Sequence, residues 1–152
     1  MTHLLEVKDL EVKFALRLGE LTAINGVSFT LDKGERLGIV GESGAGKSVT
    51  GFAIINLLSK PGYISAGKIL FEGQELNRLP EEKMREIRGN RISMIFQDPM
   101  MTLNPVLTIR TQMVETVLAH QNVSKAEAID IALVFKIKTL IFPAVARMTG
   151  GA

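Results

Sequence analysis

Eight consecutive residues carry the most chemistry in this chain of 152: GESGAGKS, Gly41 to Ser48. Glycine, four residues, then Gly-Lys-Ser is the pattern of a loop that cradles phosphate. A triphosphate is a dense anion. The start of a helix offers it unpaired backbone N–H groups and the positive end of the peptide dipoles. Wrapping those amides around a phosphate requires tight turns with no side chain in the way, which Gly41, Gly44 and Gly46 permit. Ser43 and Ala45 are small enough for their amides to line the nest. Lys47 adds a mobile positive charge for the β- and γ-phosphates, and Ser48 offers a hydroxyl to Mg²⁺. The ligand these residues imply is a nucleoside triphosphate with Mg²⁺.

Two further positions gain meaning only beside that loop. Phe14 ends the first strand pattern, where an aromatic ring could stack on adenine; taken alone, it reads as a core or strand-edge residue. Gln97 leaves an apolar segment into a proline-containing loop, MIFQDPMMTLNP, where its amide could reach Mg²⁺ or an attacking water; taken alone, a loop glutamine is a solvated residue.

The elements that must position these residues follow from periodicity. Leu5 and Val7, then Leu10, Val12 and Phe14, alternate with polar residues, with a slip near Asp9 that predicts a bulge or two short strands. Val27, Phe29 and Leu31 alternate again before a turn at Asp32-Lys33-Gly34. Arg36–Val40 reads as a short strand entering the loop, and Lys47–Ser59 as a buried helix leaving it, ended by Pro61-Gly62. Lys68–Phe71 is a strand followed by a Glu72-Gly73 turn. Pro80–Arg88 is a charged helix opened by proline, and Arg91–Phe96 a buried strand. Gln97–Pro105 is a loop and Thr108–His120 a helix. Ser124 with Glu127 forms a capping box for a last helix to about Val134. The expected fold is mixed α/β, with a strand-rich, antiparallel layer in front and helices behind.

Composition excludes several alternatives. The chain is 46% hydrophobic and 22% charged, as a folded globular protein is and a disordered one is not. Eighteen basic against 16 acidic residues leave +2, too balanced a charge to argue for nucleic acid. The chain has no cysteine, which excludes disulfides and thiolate metal sites. His3 and His120 read as isolated, solvated residues. The first residues, MTHLLEVKDLEVKF, mix charges among apolar positions and lack a signal-peptide core. Ile129–Ala146 carries Asp130, Lys136, Lys138 and Pro143 and makes a poor membrane span.

Phe14, GESGAGKS and the glutamine at the end of the strand in RISMIFQDP together resemble the A-loop, Walker A motif and Q-loop of ABC ATPases. LLEVKDLEVKF, GVSFTLDKGERLGIVGESGAGKS, MIFQDPMMTLNP and AHQNVSKAEA resemble more narrowly the ATP-binding subunits of oligopeptide and dipeptide permeases. The resemblance runs over residues 3 to 134. It implies a P-loop NTPase-like ABC ATPase core over residues 1–106, holding Walker A and the Q-loop. The start of a helical subdomain would follow over 107–134, and a divergent tail over 135–152. It also implies a peripheral subunit on the cytoplasmic face of the inner membrane, paired head-to-tail with a second ATPase and docked on two membrane-spanning permease subunits. Phe14 would stack on adenine. Gly41, Glu42, Ser43, Gly44, Ala45, Gly46, Lys47 and Ser48 would hold the phosphates, and Val49 and Thr50 would add contacts at the helix start. Ser48 and Gln97 would serve Mg²⁺.

The chain also departs from the family. No apolar run followed by Asp and Glu, the Walker B string, occurs in it. Asp130 lies in a helical pattern with Glu127 before it and does not qualify. No switch histidine is found. After Val134 the sequence FKIKTLIFPAVARMTGGA no longer looks like the family, although Met148-Thr149-Gly150-Gly151 faintly resembles the start of its LSGGQ signature. No catalytic residue is therefore assigned. The sequence reads as half a motor, as a fragment or a frameshift or premature stop near residue 135 would produce. A module that holds ATP without hydrolysing it and a remnant that does not fold fully stay open. The Q-loop string argues against another P-loop enzyme such as a kinase.

Overall fold

A computed structural model describes residues 3–96 and 103–139. They fall into two compact units that divide between Arg88 and Gly89. In the first unit, β1 (Leu5–Leu16) and β2 (Gly19–Leu31) form a long hairpin, and β3 (Gly62–Phe71) and β4 (Gln74–Glu75) complete a sheet ordered β2-β1-β3-β4. Every pairing is antiparallel.

The slip expected near Asp9 is a bulge, and it decides which residues enter the core. Val7 and Leu10 are three apart, an odd spacing that would put them on opposite faces of a regular strand. One extra residue resolves this: Asp9 takes a φ of 46°, and the register shifts between Lys8 and Glu11 against β3. Val7, Leu10 and Val12 are then all buried. Polar bonds fix the bulge. The Asp9 amide donates to Ser28 Oγ at 2.7 Å, and that hydroxyl donates to Asp9 Oδ1 at 3.1 Å. On the β3 side Gly67 has a φ of 89°, and a Cβ there would lie 2.5 Å from the Lys8 carbonyl oxygen. With Ile69, Leu76 and Met84, these strand residues are the largest fully buried side chains among the described residues.

α1 (Lys47–Ile54) follows the phosphate-loop sequence. It is shorter than the expected Lys47–Ser59 because Asn56 turns left-handed, with a φ of 51°. Leu57 N–H then donates to Phe52 O at 2.8 Å and Asn56 N–H to Ala53 O at 3.0 Å, which is the Schellman pattern of helix termination. Only Thr50 and Ala53 of this helix are buried, so it is half-buried and not enclosed as its apolar sequence suggests. After a 3₁₀ turn at Leu76–Arg78, α2 (Glu81–Ile87) begins behind Pro80 and buries Met84. Glu81 and Glu82 sit in its first turn, where negative charge suits the helix dipole. His3 is not isolated: its Nδ1 lies 2.6 Å from Asp32 Oδ1.

Two expected strands are not seen. Among the described residues, Arg36–Val40 joins no sheet, and Arg91–Phe96 reaches only a single bridge at Ile92. An apolar run becomes a strand when a neighbour takes its N–H and C=O groups, and no described segment does so here. Leu37, Ile39 and Val40 accordingly stay 46%, 48% and 95% exposed.

The second unit is built on a helical hairpin, α3 (Ile109–His120) and α4 (Lys125–Thr139). Val114, Val117, Ala128 and Ala132 form its core. Thr108 caps α3 by accepting from Thr111 N–H, and Gln112 ties the preceding turn to the helix through Asn104 and Leu107. The expected capping box is present: Ser124 N–H donates to Glu127 Oε2 at 2.8 Å, and Glu127 N–H donates to Ser124 Oγ at 3.3 Å.

Both units offer a test of these local devices. Gly67→Ala adds a methyl against the bulge and a left-handed strain, and should cost about 2 kcal/mol, read as a lower urea midpoint. At the other unit, the side-chain and backbone hydrogen bonds from Ser124 hold the Glu127 carboxyl below its ordinary value. Its folded pKa lies below its unfolded one, so its contribution is full above the unfolded value and is lost as pH falls through the folded one. Glu127→Gln should remove that share of the acid-side loss of helix signal in a circular-dichroism pH titration.

Candidate functional site

The phosphate-loop residues form a turn that ends against the sheet. Gly41 to Ala45 are exposed, and Gly46 is buried. Gly46 has a φ of 82°, and a Cβ there would stand 2.5 Å from Ile24 Cδ1 and 2.9 Å from the Ala23 carbonyl oxygen. Only glycine can seat the loop on β2 in this way. At the loop's mouth Gly41 closes over Ala45, whose Cβ lies 3.2 Å from where a Gly41 Cβ would be. The Ala45 N–H donates to the Glu42 carbonyl at 3.2 Å inside the turn.

Gly46 is also the N-cap of α1, and it supplies no side-chain cap. The first backbone bond of the helix runs from Thr50 N–H to Gly46 O at 2.8 Å. The amides of Lys47, Ser48 and Val49 are therefore the unpaired donors of the first turn, and no acidic residue lies in that turn to occupy them. A phosphate suits this arrangement in charge and in hydrogen-bonding type.

Lys47 Nζ folds back to donate to the carbonyls of Gly41 at 2.7 Å and Glu42 at 2.6 Å. The ammonium thus spans the mouth of the loop and draws its two ends together. Ser48 is exposed in the first turn, and its hydroxyl makes no side-chain hydrogen bond among the described residues. Among those residues no cluster of His, Asp or Glu forms a metal cage. The exposed Ser48 hydroxyl is a hard oxygen of the kind that Mg²⁺ accepts alongside phosphate and water oxygens. Thr50 sits behind the cradle, with its hydroxyl donating to Gly46 O at 3.0 Å. With its amide bonded to the same oxygen, Thr50 braces the N-cap instead of offering a donor to ligand. Val49 contributes its amide, and its side chain is half-buried.

Phe14 lies near the end of β1, half-buried. Its ring packs on Gly62, where a Cβ would meet Phe14 Cε1 at 2.7 Å. Phe14 is two residues beyond Val12, the cross-strand partner of Ile24, so it shares the sheet face on which Gly46 sits. The structure thus brings Phe14 and the loop to one face of β1 and β2. Gln97 falls outside the described residues. Sequence reasoning missed Ala23 and Ile24, the seat of Gly46, and Gly62, the floor under Phe14. Only Pro61-Gly62 carried a signal, and it pointed to a helix end. It also missed Arg88, for which the sequence offered none. Arg88 Nε and Nη2 donate to the carbonyls of Ile55 and Asn56 at 2.7 and 2.8 Å, behind α1.

Comparison with known proteins agrees with this geometry. A family model described as ABC transporter matches residues 24–151. The oligopeptide transport ATP-binding protein OppD of Bacillus subtilis is 53% identical over 129 residues, 84% of this chain and 36% of the relative. OppD of Escherichia coli is 50% identical over 127 residues, 84% of this chain and 37% of the relative. The chain spans about a third of the length of these relatives. Among solved structures, a dimeric bacterial ABC transporter cassette, MJ0796, superposes with a TM-score of 0.72 at 23% identity, over 86% of this chain and 54% of the cassette. The same cassette bound to ADP and Pi gives 0.70. A glycine-rich loop seated on an antiparallel sheet, a match to the cassette fold and the sequence identity lead to one assignment: the chain belongs to the ABC transporter family, with the α/β fold of its ATP-binding cassettes.

Proposed function

We propose that the chain is the nucleotide-holding part of an ATP-binding subunit that drives peptide import. The observation that carries this reading is the uncapped start of α1, with Lys47 drawn across the mouth of the loop. The identity to oligopeptide transport ATP-binding proteins supports the peptide system.

In this reading the β- and γ-phosphates of ATP lie on the amides of residues 46–49. Lys47 exchanges its two loop carbonyls for phosphate oxygens. The exchange keeps the ammonium hydrogen-bonded throughout while moving its charge onto an anion. Gly41, Glu42, Ser43, Gly44 and Ala45 form the turn around the phosphates, and Thr50 fixes the N-cap from behind. Mg²⁺, held by Ser48 and Gln97, would neutralise phosphate charge. Phe14 stacks on the adenine, backed by Gly62. A second ATPase subunit, head-to-tail, and two permease subunits at the cytoplasmic face of the membrane are the partners this role requires. Among the described residues no helix is long and apolar enough to cross a membrane.

Holding and hydrolysing need different groups. Hydrolysis requires a carboxylate that orients the attacking water, and the 152 residues contain no Walker B string to supply one. A module that binds ATP without turnover is the second reading, and turnover by the chain separates the two.

Lys47→Ala should weaken MgATP binding by about 2 kcal/mol, the scale of one charge-assisted hydrogen bond to the phosphates. Isothermal titration of the purified chain reads this directly, and a single-turnover assay beside it separates the two readings. Lys47-dependent phosphate release would favour the motor, and binding without release the module. Equal affinity in wild type and variant would remove the site altogether. Phe14→Ala should weaken ATP several-fold, on the scale of about 1 kcal/mol for a stacked ring, and leave inorganic triphosphate nearly unaffected. Equal effects on both ligands would mean that Phe14 acts through folding.

A further inference from the structure

The two ends of α1 are finished differently. At its N-terminus no side chain caps the helix, and no acidic residue lies in the first turn. At its C-terminus the Schellman bonds take the carbonyls of Phe52 and Ala53. The carbonyls of Ile55 and Asn56, just beyond, are taken by one side chain from 33 and 32 residues away: Arg88, at 2.7 and 2.8 Å. The last turn of α1 holds no basic residue of its own, so Arg88 brings positive charge to the negative end of the helix dipole from outside. Its guanidinium is in turn held by Glu81 of α2, with Nη1 2.5 Å from Oε1. The Arg88 side chain is only 17% exposed, against 65% for Glu81.

We propose that Arg88, oriented by Glu81, is a positioning residue for nucleotide binding: it anchors the rear of the phosphate-binding helix so that the front amides stay aimed at the phosphates. The proposal rests on the nucleotide-holding reading above. An eight-residue helix does not hold its own shape well, because nucleation costs several fixed residues for its first bond. Gly46 fixes the front of α1 against β2, and Thr50 and Ala53 bury one side of the helix, which leaves the carbonyls at its C-terminal end to be held from outside. The planar fork of Arg88 reaches two successive carbonyls at the other end, which fixes the tilt and the rotation together. Lysine carries the charge but not the fork. Asn56 and Ile55 lie beyond the last helical residue, so the clamp grips the terminus without intruding on the helix.

The test uses the purified 152-residue chain with Mg²⁺, titrated with ATP and separately with inorganic triphosphate. Arg88→Met keeps the length of the stem and removes the fork. It should weaken both ligands by about tenfold and by the same factor, because it acts through the phosphate cradle and not the base. Arg88→Lys should recover part of that affinity, and Glu81→Gln should weaken binding about threefold in the same direction. Amide NMR resonances of Lys47, Ser48 and Val49 should shift in Arg88→Met without ligand, which lower global stability alone would not cause. If Arg88→Met does not fold, Glu81→Gln carries the test. Wild-type affinity for triphosphate in a folded Arg88→Met chain, or in Glu81→Gln where Arg88→Met is unfolded, would overturn the proposal. Lys47-dependent binding in the wild type combined with that result would overturn the positioning role alone. No Lys47-dependent binding in the wild type would overturn the nucleotide reading with it.

Discussion

The contact between Gly46 and β2 is the constraint on which the rest of the site depends. The loop must end, the helix must begin, and the backbone must turn left-handed, all at one residue pressed on Ala23 and Ile24. A side chain at this point would push the start of α1 off the sheet, and the unpaired amides would point elsewhere. The bulge at Asp9 serves the same end at one remove. It turns Val7, Leu10 and Val12 to one face, and so sets the face on which Ile24, the partner of Val12, receives the loop.

Around that contact the polar groups suit the anion proposed for the loop. Backbone carbonyls hold the Lys47 ammonium at the mouth of the loop, and the first helical turn has neither a side-chain cap nor an acidic residue on its donors. Thr50 is bonded twice to Gly46, which stiffens the cap without consuming those donors. A cation kept on neutral carbonyls can be given up to phosphate without breaking an ion pair, whereas a carboxylate partner would compete with the ligand for it.

The apolar residues of 36–40 show how a local pattern can outrun the structure around it. Leu37, Ile39 and Val40 have the composition of a buried strand and the exposure of a surface. Strand formation is a property of pairs, and the pair is missing among the described residues. The same reasoning explains why β2 is longer than its sequence pattern suggests. Residues Gly19 to Asn25 alternate poorly in sequence but lie beside β1, and the ladder with β1 extends them into a strand.

Sequence alone determined the parts that depend on local chemistry. The turn of Gly41 to Gly46 into α1, the slip at Asp9, the Glu72-Gly73 turn, the α2 start behind Pro80 and the Ser124–Glu127 capping box all rest on groups a few residues apart, whose backbone needs are written in their types. Family membership was also legible, because strings such as GESGAGKS and MIFQDPMMTLNP carry many constrained positions at once. Tertiary structure decided the rest. Where α1 stops depended on Asn56 turning left-handed and on Arg88 arriving to take the carbonyls behind it. Which apolar segment became a strand depended on a partner. That Phe14 and the loop share a sheet face depended on the register of β1 against β2. Contacts such as Arg88 with Ile55 join residues 33 apart. No pattern of neighbouring residues encodes such a meeting, because it follows from how the sheet and helices pack together.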